Sequence, residues 1–124
     1  MTKGGSIRKR ALQSRNAIEL LSEKWRITIL HLLEEGPLRS SMLQRALAEI
    51  SPKVLTQTLR RMERDGLIFR KIHSVVPARV EYGNTEMGTS LIPLLRQLCH
   101  WAESHVQERD HARRVFDERK NNSA

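Results

Sequence analysis

The chain has 124 residues, room for one domain, and 39% of them are hydrophobic, so a wholly disordered chain is excluded. It carries 22 Lys+Arg against 14 Asp+Glu, a net charge of +8, which favours an acidic partner such as nucleic acid. A single cysteine, Cys99, excludes an internal disulfide framework, and no apolar run approaches the roughly 18 residues of a membrane span.

The charge is unevenly placed. Residues 1–15 sum to +5, residues 16–36 to −2, residues 37–79 to +6 and residues 80–124 to −1. The middle of the chain is therefore a basic module between near-neutral flanks. The basic N-terminus lacks the apolar stretch of a secretory signal, so a cytoplasmic protein without a membrane anchor is expected.

Residues 1–13 read as a flexible basic arm, with Gly4-Gly5 arguing for disorder at its start. The folded domain is expected over 14–119, with 120–124 a disordered tail. Ser14 is placed to cap a short helix reaching Leu21, with Ile18 and Leu21 on one face. Ser22 restarts a helix through Trp25, Ile27, Ile29, Leu30, Leu32 and Leu33. It is apolar nearly all round and so belongs at the centre of the core. Gly36-Pro37 stops it.

A further helix begins at Ser40 or Ser41, with Leu43, Ala46 and Leu47 in phase. Ser51-Pro52 then supplies a serine N-cap followed by proline at the first helical position. The helix it opens carries Leu55, Leu59 and Met62 at i, i+4 and i+7, and Gly66 closes it after Asp65. Two helices across a tight turn in a basic block make the helix-turn-helix layout. Leu67–His73 and Arg79–Tyr82 alternate in side-chain character about a bend at Val75-Val76-Pro77. They read as a two-stranded hairpin, a wing. Thr85 caps a long last helix with Met87, Leu91, Leu94, Leu95, Leu98, Trp101, Ala102 and His105 in one stripe. Pro93 should kink that helix or end its opening turns.

At 100° per residue, Leu59 and Met62 fall within about 40° of Leu55, while Lys53, Gln57, Arg60 and Arg64 take the opposite side. Arg61 stands near them. One face of this helix is core and the other carries an amide and cations. Lys53 and Gln57, in the half that enters a major groove, are the candidate base readers, with Thr56 on the flank. Ser51, Arg60, Arg61 and Arg64 are candidate phosphate contacts. On the wing, Arg70, Lys71 and Arg79 extend the basic surface, and Arg79 could enter a narrow minor groove. Double-stranded DNA is the partner these residues imply.

The order and spacing of many residues resemble the HxlR-type winged helix-turn-helix regulators of bacteria and archaea. The matching residues are Lys24-Trp25, Ile29-Leu30, Gly36-Pro37-Leu38-Arg39, Leu43, Ile50-Ser51, Val54-Leu55, Leu59, Gly66-Leu67, Arg70, Pro77, Val80-Glu81-Tyr82, Thr85-Glu86, Gly88, Leu91, Pro93 and Trp101. The resemblance implies an α+β, mostly helical fold: a winged helix-turn-helix with a two-stranded wing and long N- and C-terminal dimerisation helices. It implies a homodimer on a pseudo-palindromic operator that controls transcription, repression being the expected sense. Its interface would use Ile18, Leu21, Leu91, Leu95, Leu98, Trp101 and His105.

Three positions depart from the family pattern. Ser40 stands where phenylalanine is usual, and Glu23 where glycine is usual. Leu12 stands where the family places a sensing cysteine, so thiol-based sensing is not expected, and Cys99 is expected to be partly buried and unreactive. Trp25, Leu33, Leu95 and Trp101 have two readings, a plain packed core or the lining of a small-molecule effector pocket. No nucleophile elbow, phosphate loop, dinucleotide fingerprint or metal-ligand spacing is present, so neither an enzyme nor a cofactor is expected. The alternative reading is a winged-helix module that binds proteins without recognising a specific DNA sequence.

Overall fold

In the computed structural model the backbone is described over residues 3–21 and 23–122, and the side chains over 4–15 and 23–122. Among the described residues, five helices and three strands follow one another: α1 (Lys3–Leu21), α2 (Arg26–Leu32), β1 (Leu38–Arg39), α3 (Ser40–Ala46), α4 (Pro52–Arg64), β2 (Ile68–His73), β3 (Arg79–Asn84) and α5 (Glu86–Asn122). The chain divides into two units, Met1–Ile92 and Pro93–Ala124.

The core of the first unit is built from residues with little or no exposure. Ile29 and Leu30 come from α2, Leu43 from α3, Leu55, Leu59 and Met62 from α4, and Leu67 and Ile68 from the entry to the wing. Burying each such side chain stabilises the fold by about 1.5–3 kcal/mol. The i, i+4, i+7 spacing read from α4 is the spacing that fills this core.

The ends of α4 follow from local chemistry. The Ser51 hydroxyl accepts a hydrogen bond from the Val54 amide at 3.2 Å, and Pro52 opens the helix. At the other end Gly66 takes φ +76°, a left-handed conformation that costs glycine little. The Gly66 amide donates to the Glu63 carbonyl and the Leu67 amide to the Met62 carbonyl, both at 3.0 Å. This pairing satisfies carbonyls that would otherwise be orphaned. Ser51→Ala should therefore destabilise the fold by about 1 kcal/mol, seen as a lower midpoint in urea unfolding with an unchanged slope.

The three strands form one antiparallel sheet in the order β1-β3-β2. β2 and β3 pair from Ile68 opposite Asn84 to His73 opposite Arg79, which is the expected wing. β1 adds a third strand, Leu38 opposite Tyr82 and Arg39 opposite Glu81. Two residues are too few to show a period, which is why the sequence did not announce this strand.

The start of the wing, the exit of α4 and the start of α5 meet at Thr85. Its hydroxyl donates to the Gly66 and Leu67 carbonyls and accepts from the Gly88 amide at 3.0 Å, capping α5 as the sequence suggested. Gly88 has no room for a side chain, since a Cβ there would collide with the Leu67 carbonyl oxygen. The Asn84 side-chain amide donates to the Leu30 carbonyl at 3.0 Å and ties the base of the wing to α2.

Several boundaries differ from expectation. The first helix starts at Lys3, not Ser14, and includes Gly4 and Gly5. The run from Arg8 to Gln13 is made of strong helix formers, which outweigh the two glycines. Ser14 is internal, and its hydroxyl donates back to the Arg10 carbonyl at 3.1 Å. Helix α2 starts at Arg26, after a turn over residues 24–25, while the expected start at Ser22 lies outside the described residues. Helix α5 continues past Pro93 to Asn122, so residues 120–122 are helical rather than tail. Proline within a helix loses one backbone hydrogen bond, and the two units divide immediately before it.

Candidate nucleic-acid interface

Helix α4 turns one face to the core and one to solvent. Leu55, Thr58, Leu59 and Met62 are buried. Lys53, Thr56, Gln57, Arg60 and Arg64 are all exposed, as the wheel predicted. Thr58, unremarked in the sequence, is buried because its hydroxyl is satisfied by the Val54 carbonyl at 2.9 Å. Thr56 likewise donates to the Pro52 carbonyl at 2.8 Å, which turns its hydroxyl along the helix. Val54 is 42% exposed, an apolar group near the N-terminal end of the same helix. It lies about 100° from Leu55 on the wheel, off the core stripe.

The turn before α4 is held by the Gln44 side-chain amide, which donates to the Ile50 carbonyl at 2.8 Å. Ser51 is exposed at the helix start, beside Lys53. Toward the other end Arg60, Glu63, Arg64 and Arg70 line an open groove of about 540 Å³ between α4 and β2. Glu63 Oε1 approaches Arg70 Nε to 3.8 Å, and no carboxylate among the described residues pairs with Arg60 or Arg64. Three arginines around one carboxylate leave the groove cationic.

On the wing Arg70, Lys71 and Arg79 are exposed. Glu81 is engaged by His73, whose Nε2 lies 3.0 Å from Oε2, close enough for an ion pair when the imidazole is protonated but without hydrogen-bond alignment. Arg79 stands opposite His73 in the ladder, near the hairpin tip where Val76 is fully exposed.

Arg26 is the charge that sequence reasoning missed. It is 5% exposed, at the start of the helix read as apolar all round. Its Nη1 meets Asp65 Oδ2 at 2.6 Å, and its Nη2 meets Glu23 Oε1 at 3.4 Å. Burial works against its charge, but hydrogen bonds and attraction from Asp65 and Glu23 outweigh burial and raise the guanidinium above its ordinary value. Asp65 caps the C-terminus of α4, so Arg26 fastens the end of that helix to α2. The partner lies 39 residues away, beyond any local pattern. Arg61, expected among the phosphate contacts, places its Nη1 3.2 Å from Glu23 Oε1.

In the second unit the stripe on α5 splits. Leu95 is buried, whereas Leu94, Leu98 and Trp101 are 60%, 47% and 61% exposed. The Trp101 and His105 rings stack at 4.5 Å, and the His105 Nδ1 lies 2.7 Å from the Trp101 carbonyl oxygen. Cys99 is exposed rather than partly buried, although it stands one turn beyond the buried Leu95, about 40° away on the helix. In the first unit Ile92 is buried and Leu91 half-buried. The side chains of Ile18 and Leu21 lie outside the described residues. Of the four residues with two readings, Leu33 and Leu95 are buried, Trp25 is half-buried and Trp101 is exposed.

The profile of the HxlR-like helix-turn-helix family matches residues 20–110, which include the helix pair, the wing and the first two thirds of α5. The chain belongs to this family. A helix-turn-helix transcriptional regulator of Bacillus subtilis, YkvN, is 42% identical over 90 residues, covering 73% of this chain and 76% of its own. One from Methanothermobacter thermautotrophicus is 38% identical over 96 residues, covering 77% and 73%. The crystal structure of a protein from Enterococcus faecalis, described as a MarR-family transcriptional regulator, superposes with a TM-score of 0.70 at 36% identity, covering 90% of this chain and 94% of that one. The HxlR-like chain is thus a winged helix-turn-helix, DNA-binding transcriptional regulator. No helix among its described residues is long and apolar enough to cross a membrane.

Proposed function

We propose that this HxlR-like protein is a cytoplasmic repressor, not an enzyme, which binds a pseudo-palindromic operator as a homodimer. The observation that carries the reading is the exposed face of α4, where an amide and cations stand clear of the core beside a basic wing. Lys53 offers donors to guanine O6 and N7, and Gln57 can pair with adenine N6 and N7. Val54 and the Thr56 methyl group suit contact with a thymine methyl. The Ser51 hydroxyl accepts from Val54 and still has its proton to donate to a phosphate at the helix N-terminus, where anions are favoured. Arg60, Arg64 and Arg70 line a groove fit for the DNA backbone, with Lys71 and Arg79 continuing along the wing.

The exposed side of α5 supports a dimer. Leu94, Leu98 and Trp101, with His105 beside them, form an apolar patch that a second copy would cover with its own N-terminal helix, Ile18 and Leu21 included, whereas Leu95 is buried in its own chain and offers the partner nothing. A two-fold pair would present two reading helices about one DNA turn, roughly 34 Å, apart. A dimer seated on an operator blocks polymerase without further contacts, which is why repression is the sense proposed.

Salt-dependent binding of the purified protein to the DNA upstream of its own gene, followed by footprinting, tests this reading. A protected two-fold site supports it, and equal affinity for every duplex would overturn it. Within the bound complex, Arg60→Ala should weaken cognate and random duplexes alike. The slope of log K against log salt should flatten by about 0.9, the loss of one phosphate contact. Fluorescence anisotropy between 50 and roughly 200 mM salt, the range over which such contacts are read, measures it.

A further inference from the structure

Helix α4 carries four cations, Lys53, Arg60, Arg61 and Arg64, yet they are not equivalent. Among the described residues, Arg61 is the one of the four that meets an acid from outside its own helix. That acid, Glu23, sits on the junction between α1 and α2, and its Oε1 touches both Arg61 and the buried Arg26. Its side chain is only 26% exposed, and Asp65 takes the other end of Arg26. Among the described residues, two carboxylates and two guanidinium groups therefore come together at the exit of the reading helix.

We propose that Glu23 is a specificity-determining residue that stands in for a phosphate: it holds Arg61 away from the DNA backbone and limits how many cations of α4 a duplex can engage. The inference rests on the DNA-binding reading above. Phosphate contacts strengthen binding to every sequence, whereas base contacts strengthen only the matched site. An acid that occupies one arginine, and repels a phosphate approaching it, lowers non-specific affinity while leaving Lys53 and Gln57 untouched. The ratio of specific to non-specific binding rises, and that ratio governs occupancy among many competing sites.

Salt-dependent binding of four proteins to a matched operator and to a random duplex decides the matter, with Arg60→Ala as the reference for losing a phosphate contact. Arg61→Ala should keep the parent slope. Glu23→Gln should steepen it by about 0.9 and tighten the random duplex more than the operator, as one arginine is released to the backbone. The Glu23→Gln, Arg61→Ala double variant should return to the parent slope. The proposal is overturned if Arg61→Ala flattens the slope as Arg60→Ala does, or if Glu23→Gln leaves it unchanged. Far-ultraviolet circular dichroism checks folding of each variant. Arg61 is exposed, so its alanine variant decides the question even if Glu23→Gln folds poorly. A parent protein that shows no salt-dependent duplex binding would overturn the DNA-binding reading, whereas normal parent binding with a flattened Arg61→Ala slope would overturn this inference alone.

Discussion

Trp101→Ala is expected to leave each subunit folded while separating the pair. The indole is 61% exposed in the single chain, so removing it opens no cavity in the core. It stands in an apolar patch with Leu94 and Leu98, stacked on His105. Tryptophans at the centre of such patches commonly dominate an interface, and truncating one costs about 2–4 kcal/mol of association. Each 1.4 kcal/mol is about tenfold, so the dimer should dissociate at roughly 30- to 700-fold higher concentration. Operator binding should fall further, because each half-site loses the benefit of an intramolecular second contact. Sedimentation velocity at micromolar concentration reads the assembly and thermal melting reads the fold. A variant that melts like the parent and remains dimeric would show that this face of α5 is not the interface.

The second large effect belongs to the reading head. Lys53→Ala and Gln57→Ala each remove one proposed base contact, at about 1–3 kcal/mol on the matched operator. The two residues are one helical turn apart and would face neighbouring base pairs, where losses do not simply add, so the double variant should lose at least the larger single loss and at most about 6 kcal/mol there. Random duplexes should lose far less, since Arg60, Arg64 and the wing are retained. Single-base operator variants should then be bound alike at the positions these side chains face. Competition titrations with a panel of such operators measure this. Undiminished discrimination in the double variant would move base reading to another part of the surface.

How much of this was legible depended on how local the cause was. Ser51-Pro52 and Gly66 announced the two ends of α4, because cap, first-turn proline and left-handed glycine each act within a few residues. The core and exposed faces of that helix followed from one 3.6-residue period. The same period misled on α5. Leu94, Leu98 and Trp101 lie within about 60° of one another on the wheel, next to the sector of Leu91, Ile92 and Leu95. A wide apolar arc does not say where the subunit's own core ends and an outward-facing patch begins. Burial separates the two, and it also shows Ile92 as a core residue that the stripe omitted. Arg26 was illegible for a different reason: a buried cation makes sense only beside Asp65, which the fold brings from far along the chain. The start of α1 is illegible because Gly4-Gly5 oppose a helix locally while the helix formers that follow carry it through them.

The three hydrogen bonds at the Thr85 hydroxyl have a consequence for how the protein measures DNA. They fasten the exit of the reading helix to the opening turn of α5, and Gly88 pressed against Leu67 leaves no slack between them. Within the first unit the reading helix therefore keeps one direction relative to the first turns of α5. In the proposed dimer, one added base pair between half-sites would turn the second out of phase by roughly a tenth of a helical turn, an error that this joint cannot take up. The length of the operator's spacer, which no side chain reads, would then count toward recognition.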